Sequence, residues 1–319
     1  MSEAVFFLCP GRGSYGREEL GTLSRLVNEL GDEGAALEES LEAVREAILP
    51  EAPTMLDLDR SEAFKPARML PGLHASPLIF ACSILDARLA TRVASPVVVA
   101  GNSLGFYSAL VVSGALEAED GMRLVATMAK LQEEGPGGGQ VLWTLLDEDW
   151  RVLPEREALL VDILDRLRRE GRSADVSIRL GGHVVLAGDE EATLLLLERL
   201  PRVVLGKRDF PFRLPFHGPF HTKLLADVAE RARRALEDLP MSAPRVPLVD
   251  GRGFIWSPLS TDVEALFDYT VGAQVTSTFD LTTALRVALL DFAPTRVQLL
   301  APGASLRAPL GHVERMLSL

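Results

Sequence analysis

The chain has 319 residues, 47% of them apolar, so it can bury a full core and carry a smaller appended or inserted unit. Its formal charge of −12 excludes a nucleic-acid partner that would need a cationic face, and any acidic partner would require a local basic patch. Two cysteines and five histidines at scattered positions make no metal-ligand spacing, and Cys9 and Cys82 lie in apolar runs that suit reduced, buried thiols. Neither a secretory leader nor a membrane-length apolar run is read, so the expectation is a cytoplasmic monomer without membrane contact.

In chain order, Val5–Leu8 reads as a short buried strand running into the glycine-rich loop Cys9-Pro10-Gly11-Arg12-Gly13-Ser14-Tyr15-Gly16. Helical patterns follow over 17–30 and 33–48, then a proline-containing connection over 50–72 and a buried helix over 75–92. Pro96–Ala100 is a β-branched strand. It leads into Gly101-Asn102-Ser103-Leu104-Gly105, a helix to Val112, and a further helix over 118–134.

After the break at 135–139 the pattern changes. A strand over 140–146, a helix over 154–170, a hairpin around Gly181-Gly182, a helix over 190–199 and a strand over 202–206 make a ferredoxin-like arrangement. The tail returns to α/β character: helix 219–237, a strand near 246–250, helix 279–290, strand 296–300 and a turn at Gly303. The expected fold is α/β: a large α/β-hydrolase-like domain with a parallel sheet (1–136 and 207–319) and a small inserted ferredoxin-like domain (137–206).

Gly-x-Ser-x-Gly between a strand and a helix is the pattern of a nucleophile elbow. The turn lifts the serine hydroxyl out of the sheet, and the following helix turns its N-terminal amides and positive dipole end toward the site. The same five residues also fit a tight βα turn with an N-capping serine. A nucleophilic serine needs a base. Among His74, His183, His217, His221 and His312, His217 is the candidate, because Leu214-Pro215-Phe216-His217-Gly218-Pro219-Phe220-His221 brackets it with prolines and apolar rings. Either His217 or His221 could instead cap the helix that follows. Only one strand precedes the elbow, and a whole small domain separates serine from histidine, which departs from ordinary α/β-hydrolases.

These residues resemble malonyl-CoA:acyl-carrier-protein transacylases and the acyltransferase domains of polyketide synthases over nearly the whole chain. CPGRGSYG is similar to the family's FPGQGSQ, GNSLGFYSALVVSGAL to its GHSLGEYSALVAAGAL, and RLPFHGPFH to its AFHSPLM stretch. Residues 271–277 resemble its Q-L-x-x-P-V segment, and Leu300-Ala301-Pro302-Gly303 its late V-G-P-G turn.

The resemblance implies a ping-pong acyl transfer in polyketide or fatty-acid-like biosynthesis. Ser103 would be the nucleophile and His217 the base, with backbone N–H groups of Leu104 and Arg12 as the oxyanion hole and a carbonyl near Gln274 supporting the histidine. It implies no permanently bound cofactor and no metal. The substrate is an acyl-CoA or phosphopantetheine thioester, and the partner is an acyl carrier protein.

The departures from the family cluster in the site. Met128 stands where the family's carboxylate-binding Arg falls. Asn102 replaces the elbow His, Phe106 the following Glu, and Ser76 a Gln; Phe216 adds apolar surface. A malonyl carboxylate opposite a thioether would be an uncompensated buried charge, so a monocarboxylic acyl group is expected. An acyl hydrolase acting on carrier proteins and a catalytically weak docking scaffold are the competing readings.

Overall fold

The computed structural model describes residues 3–318. The interior strand Val5–Cys9 is buried at every position, which is why its sequence is a continuous apolar run rather than an alternating one. It pairs in parallel with Pro96–Gly101 on one side and Arg296–Leu299 on the other. The five-stranded sheet continues through Leu248–Val249, parallel to Pro96–Gly101, to an antiparallel edge at Ile255–Trp256. The large sheet is therefore mixed rather than purely parallel. Asp250 makes that hairpin: fully buried, it accepts from the N–H groups of Arg252 (2.8 Å) and Phe254 (3.1 Å) and from the Trp256 indole (3.2 Å).

Helices cover the sheet. Gly72–Thr91 is apolar nearly all round because it runs through the core, with 67% of its most apolar window buried. Cys9 and Cys82 are buried and unbridged, and burial pushes both thiols up. The predicted helix 17–30 is two pieces, a 3₁₀ turn at Arg17–Glu19 and a helix at Thr22–Leu30. Gly21, at φ 84°, breaks them apart.

The small sheet runs in the spatial order Phe279–Asp280, Ala174–Leu180, His183–Gly188, Gly139–Thr144, Phe212–Arg213. Its last four strands have the ferredoxin-like order, and a second apolar cluster around Trp143, Leu164 and Leu186 fills the space beneath them. The fourth strand is not the expected 202–206. Val203–Leu205 pairs only with Arg208–Phe210 in a separate ribbon that spans residue 206, and Phe212–Arg213 takes the sheet position beside Gly139–Thr144. Phe279–Asp280 from the tail extends the sheet in parallel at its other edge.

The connection 50–72 holds two short helices, Met55–Asp59 and Pro66–Met69. Asp59, 1% exposed, accepts four hydrogen bonds: from the Tyr15 hydroxyl (2.6 Å), the Leu23 N–H (2.9 Å), and the Ser24 N–H (2.8 Å) and hydroxyl (2.7 Å). It fastens the glycine-rich loop to the first helix, a role its surrounding sequence does not announce. Each buried donor left unpaired costs roughly 1–3 kcal/mol. Asp59→Ala is therefore expected to lower the urea unfolding free energy by about 3 kcal/mol, with Asp59→Asn losing less.

Candidate active site

Cys9 and Gly101 end adjacent parallel strands in register, so the two glycine loops leave the same sheet edge side by side. Ligands in open α/β sheets bind at such carboxyl ends. The Asn102 N–H donates to the Cys9 carbonyl at 3.0 Å. A Cβ on Gly105 would lie 2.3 Å from the Cys9 oxygen, and one on Gly11 2.5 Å from the Asn102 oxygen, so both positions require glycine. Ser103 is held at φ 55°, ψ −111°, in the sparsely populated region a nucleophile elbow uses. The helix Leu104–Val112 begins on the next residue, which leaves the Leu104 N–H as a first-turn amide at a helix N-terminus.

The Ser103 hydroxyl is hydrogen-bonded to Nε2 of His221 at 2.7 Å. His221 Nδ1 lies 2.6 Å from the Gln274 carbonyl, which makes Nδ1–H the donor and leaves Nε2 to accept from serine. That carbonyl is free because a π-helical turn, Tyr269–Ala273, passes into a helix that ends at Thr276. The Gln274 side chain completes the clamp: Nε2 donates to the Ser103 carbonyl at 3.1 Å, and Oε1 accepts from the Tyr107 hydroxyl at 2.8 Å.

This corrects the expected base. His217 does not reach the serine; its Nδ1 lies 2.8 Å from the Pro215 carbonyl and its ring packs on Phe220. The expected helix 219–237 begins only at Ala226, after a 3₁₀ turn at Lys223–Leu225, because His221 sits at φ 57° and turns its ring inward. Nothing local in LPFHGPFH separates the two histidines. The contact to Gln274 that selects His221 lies 53 residues away in sequence.

A cavity of about 30 Å³ opens at Ser103. Met128 (1% exposed) and Ser76 (3%) line it, with Arg12, Leu104, Tyr107 and Gln132. Asn102, Phe106 and Phe216, expected in this pocket, do not line it. Asn102 is buried behind the elbow against Gly11, and Phe106 packs edge-on against Tyr269 with centroids 5.2 Å apart. Phe216, 48% exposed, faces a neighbouring outer cavity. Arg12 Nη2 donates to the Phe216 carbonyl at 2.5 Å and to the Leu70 carbonyl at 3.4 Å, and its guanidinium lies 5.0 Å from the Phe220 ring centre. Burial lowers its pKa to about 10, with Glu133 opposing.

Burial likewise lowers His221 to about 4, against the opposing hydrogen bond to Gln274, and burial with the Arg12 charge lowers His217 to about 3. The ring bonded to Ser103 is thus neutral at ordinary pH and able to accept a proton. No group of three or more His, Cys, Asp or Glu among the described residues could hold a metal ion.

No family model matches the chain. It is 27% identical over 266 residues to a polyketide synthase of Streptomyces halstedii, covering 81% of this chain and 6% of that protein. It is 32% identical over 184 residues to the malonyl CoA-acyl carrier protein transacylase of Salmonella typhimurium, covering 55% and 53%. The chain thus spans about half the length of the curated transacylases it matches. A malonyl-transacylase solved with a type II polyketide acyl-carrier protein has the same fold, with a TM-score of 0.77, 21% identity, and coverage of 98% of this chain and 93% of that one. Homologues and structural neighbours are therefore malonyl-CoA:acyl-carrier-protein transacylases and polyketide synthase acyltransferase domains, at modest identity, and the fold is their α/β fold with mixed sheets.

The geometry assigns unequal weight to the two histidines. His221→Ala is expected to lower the rate of Ser103 acylation by at least ~100-fold, the scale of a general base, and His217→Ala by only a few-fold, read by intact mass against time. With His221 titrating near 4, that rate is expected to persist below pH 6 and halve near pH 4. The same shift costs stability on acidification. Unfolded histidine takes its proton near 6.5, so the contribution is full above that pH and is lost as pH falls toward 4.

Proposed function

We propose that the chain is an acyltransferase that moves a monocarboxylic acyl group from an acyl-CoA or acyl-carrier-protein thioester to the phosphopantetheine thiol of a carrier protein. The observation that carries this reading is the 2.7 Å contact between Ser103 Oγ and a neutral, carbonyl-oriented His221. Ser103 Oγ attacks the thioester carbonyl while His221 Nε2 takes its proton. The oxyanion is met by the N–H groups of Leu104 and Arg12 at the two glycine loops. The tetrahedral intermediate collapses, the thiolate leaves with the proton from His221, and an acyl ester remains on Ser103. A second thiol then reverses the sequence. A backbone donor survives a change of side chain, so arginine at position 12 is compatible with this role.

The acyl preference rests on Met128. It lies in the cavity wall beside Ser103, where a terminal carboxylate would meet a thioether rather than a cation. An unpaired buried carboxylate costs several kcal/mol. Arg12, the cation in that wall, is already engaged by two carbonyls and an aromatic face.

Incubation with a panel of acyl-CoAs, read by intact mass, is expected to give a single adduct with monocarboxylic donors that Ser103→Ala abolishes. Met128→Arg is expected to raise malonyl labelling at least ~10-fold, the value of roughly one charge-assisted contact. Absence of labelling with every donor would overturn the acyltransferase reading. Strong malonyl labelling of the unmodified protein would overturn the preference. An adduct that decays without a thiol acceptor would make the protein a hydrolase.

A further inference from the structure

Two cavities meet at one partition. The inner one, about 30 Å³, contains Ser103 and His221; the outer one, about 220 Å³, is bounded by Phe216, His217 and the glycine break at 135–138. Four residues line both: Arg12, Ala129, Gln132 and Phe220. Arg12 is the member that is held from outside. Its guanidinium lies over Phe220, donates to carbonyls on two other segments, and packs so closely on Gly72 that a Cβ there would come 3.2 Å from Nη1. Ala129 is too short to close the gap itself.

The inner cavity is small, about 30 Å³ against about 220 Å³ for the outer one, so it suits a short acyl group. An eight-carbon chain fits only if the cavities join. From this geometry we propose that Arg12 is a length gate, whose side chain walls the inner cavity off and confines the acyl group on Ser103 to a short chain. This inference deepens the acyltransferase reading and rests on it for the identity of the group on Ser103. The lowered Arg12 pKa agrees with a cation packed into a wall.

The test uses 4-nitrophenyl acetate and octanoate, which acylate a serine without any carrier or coenzyme. The Ser103 Oγ–carbonyl bond forms, the ester C–O bond breaks, nitrophenolate departs, and the hydroxyl proton goes to His221. The readout is the acetate-to-octanoate ratio of nitrophenolate release above a Ser103→Ala background. Taking a ratio within one variant cancels any change in the oxyanion hole, whose donor at Arg12 is backbone. The unmodified protein is expected to favour acetate by at least ~10-fold. Arg12→Ala is expected to cut that ratio at least ~10-fold, and Gln132→Ala, which thins the same wall, to move it in the same direction by less.

A ratio unchanged in both variants would overturn the gate while leaving acyl transfer intact. So would a loss confined to malonyl-CoA labelling with the ester ratio unchanged, which would make Arg12 an anion receptor. Thioester transfer could fail with the ester ratio still shifting; that result would remove the proposed function and keep the gate. No release above the Ser103→Ala background would overturn both.

Discussion

The site depends on backbone meeting backbone. The strand ending at Cys9 and the strand ending at Gly101 stop in register, and the loops beyond them approach backbone to backbone. Gly105 faces the Cys9 oxygen and Gly11 the Asn102 oxygen at distances no Cβ tolerates. This closeness brings Arg12 of the first loop and Leu104 of the second to the cavity that holds Ser103. It also explains the strain at Ser103, since the chain must turn from strand to helix within one residue to keep the contact. Asp59 secures the first loop from behind and Gln274 secures the second, so each loop is anchored independently of the other.

The α/β class, the elbow and the ferredoxin-like unit were legible in the sequence because each rests on local signals: an apolar run, glycine spacing, alternating strand and helix periods. The base was not. His217 and His221 share one loop, flanking prolines and neighbouring phenylalanines, and the short run FHGPF that resembles the family's FHSPL points to His217. The choice is made by a left-handed residue at 221 and by a carbonyl that a π-helical turn exposes far along the chain. Both are long-range facts. Asp59 was hidden for the same reason, lying in a stretch that reads as connection while its partners sit 35 to 44 residues earlier.

The pocket divides along similar lines. Met128 belongs to a helix with a clear apolar face, and it lies in the cavity wall. The elbow helix offers no such guide. Its first seven residues are all buried, so periodicity cannot say which face looks at the cavity. Phe106 turns toward Tyr269, and Tyr107, one residue on, turns toward the cavity and Gln274. A helix buried on every side hides its functional face from sequence reasoning.

Orientation of His221 by a carbonyl rather than a carboxylate follows from the same crowding. A carboxylate behind the imidazole would raise its pKa and add a buried charge to the site. The carbonyl fixes the tautomer without adding charge, so the imidazole stays neutral, as its low pKa requires. Arg12 then remains tied to Phe216 and Leu70, standing as wall rather than counter-ion. The imidazole and the cation are thus both held by backbone carbonyls, each on its own segment of chain.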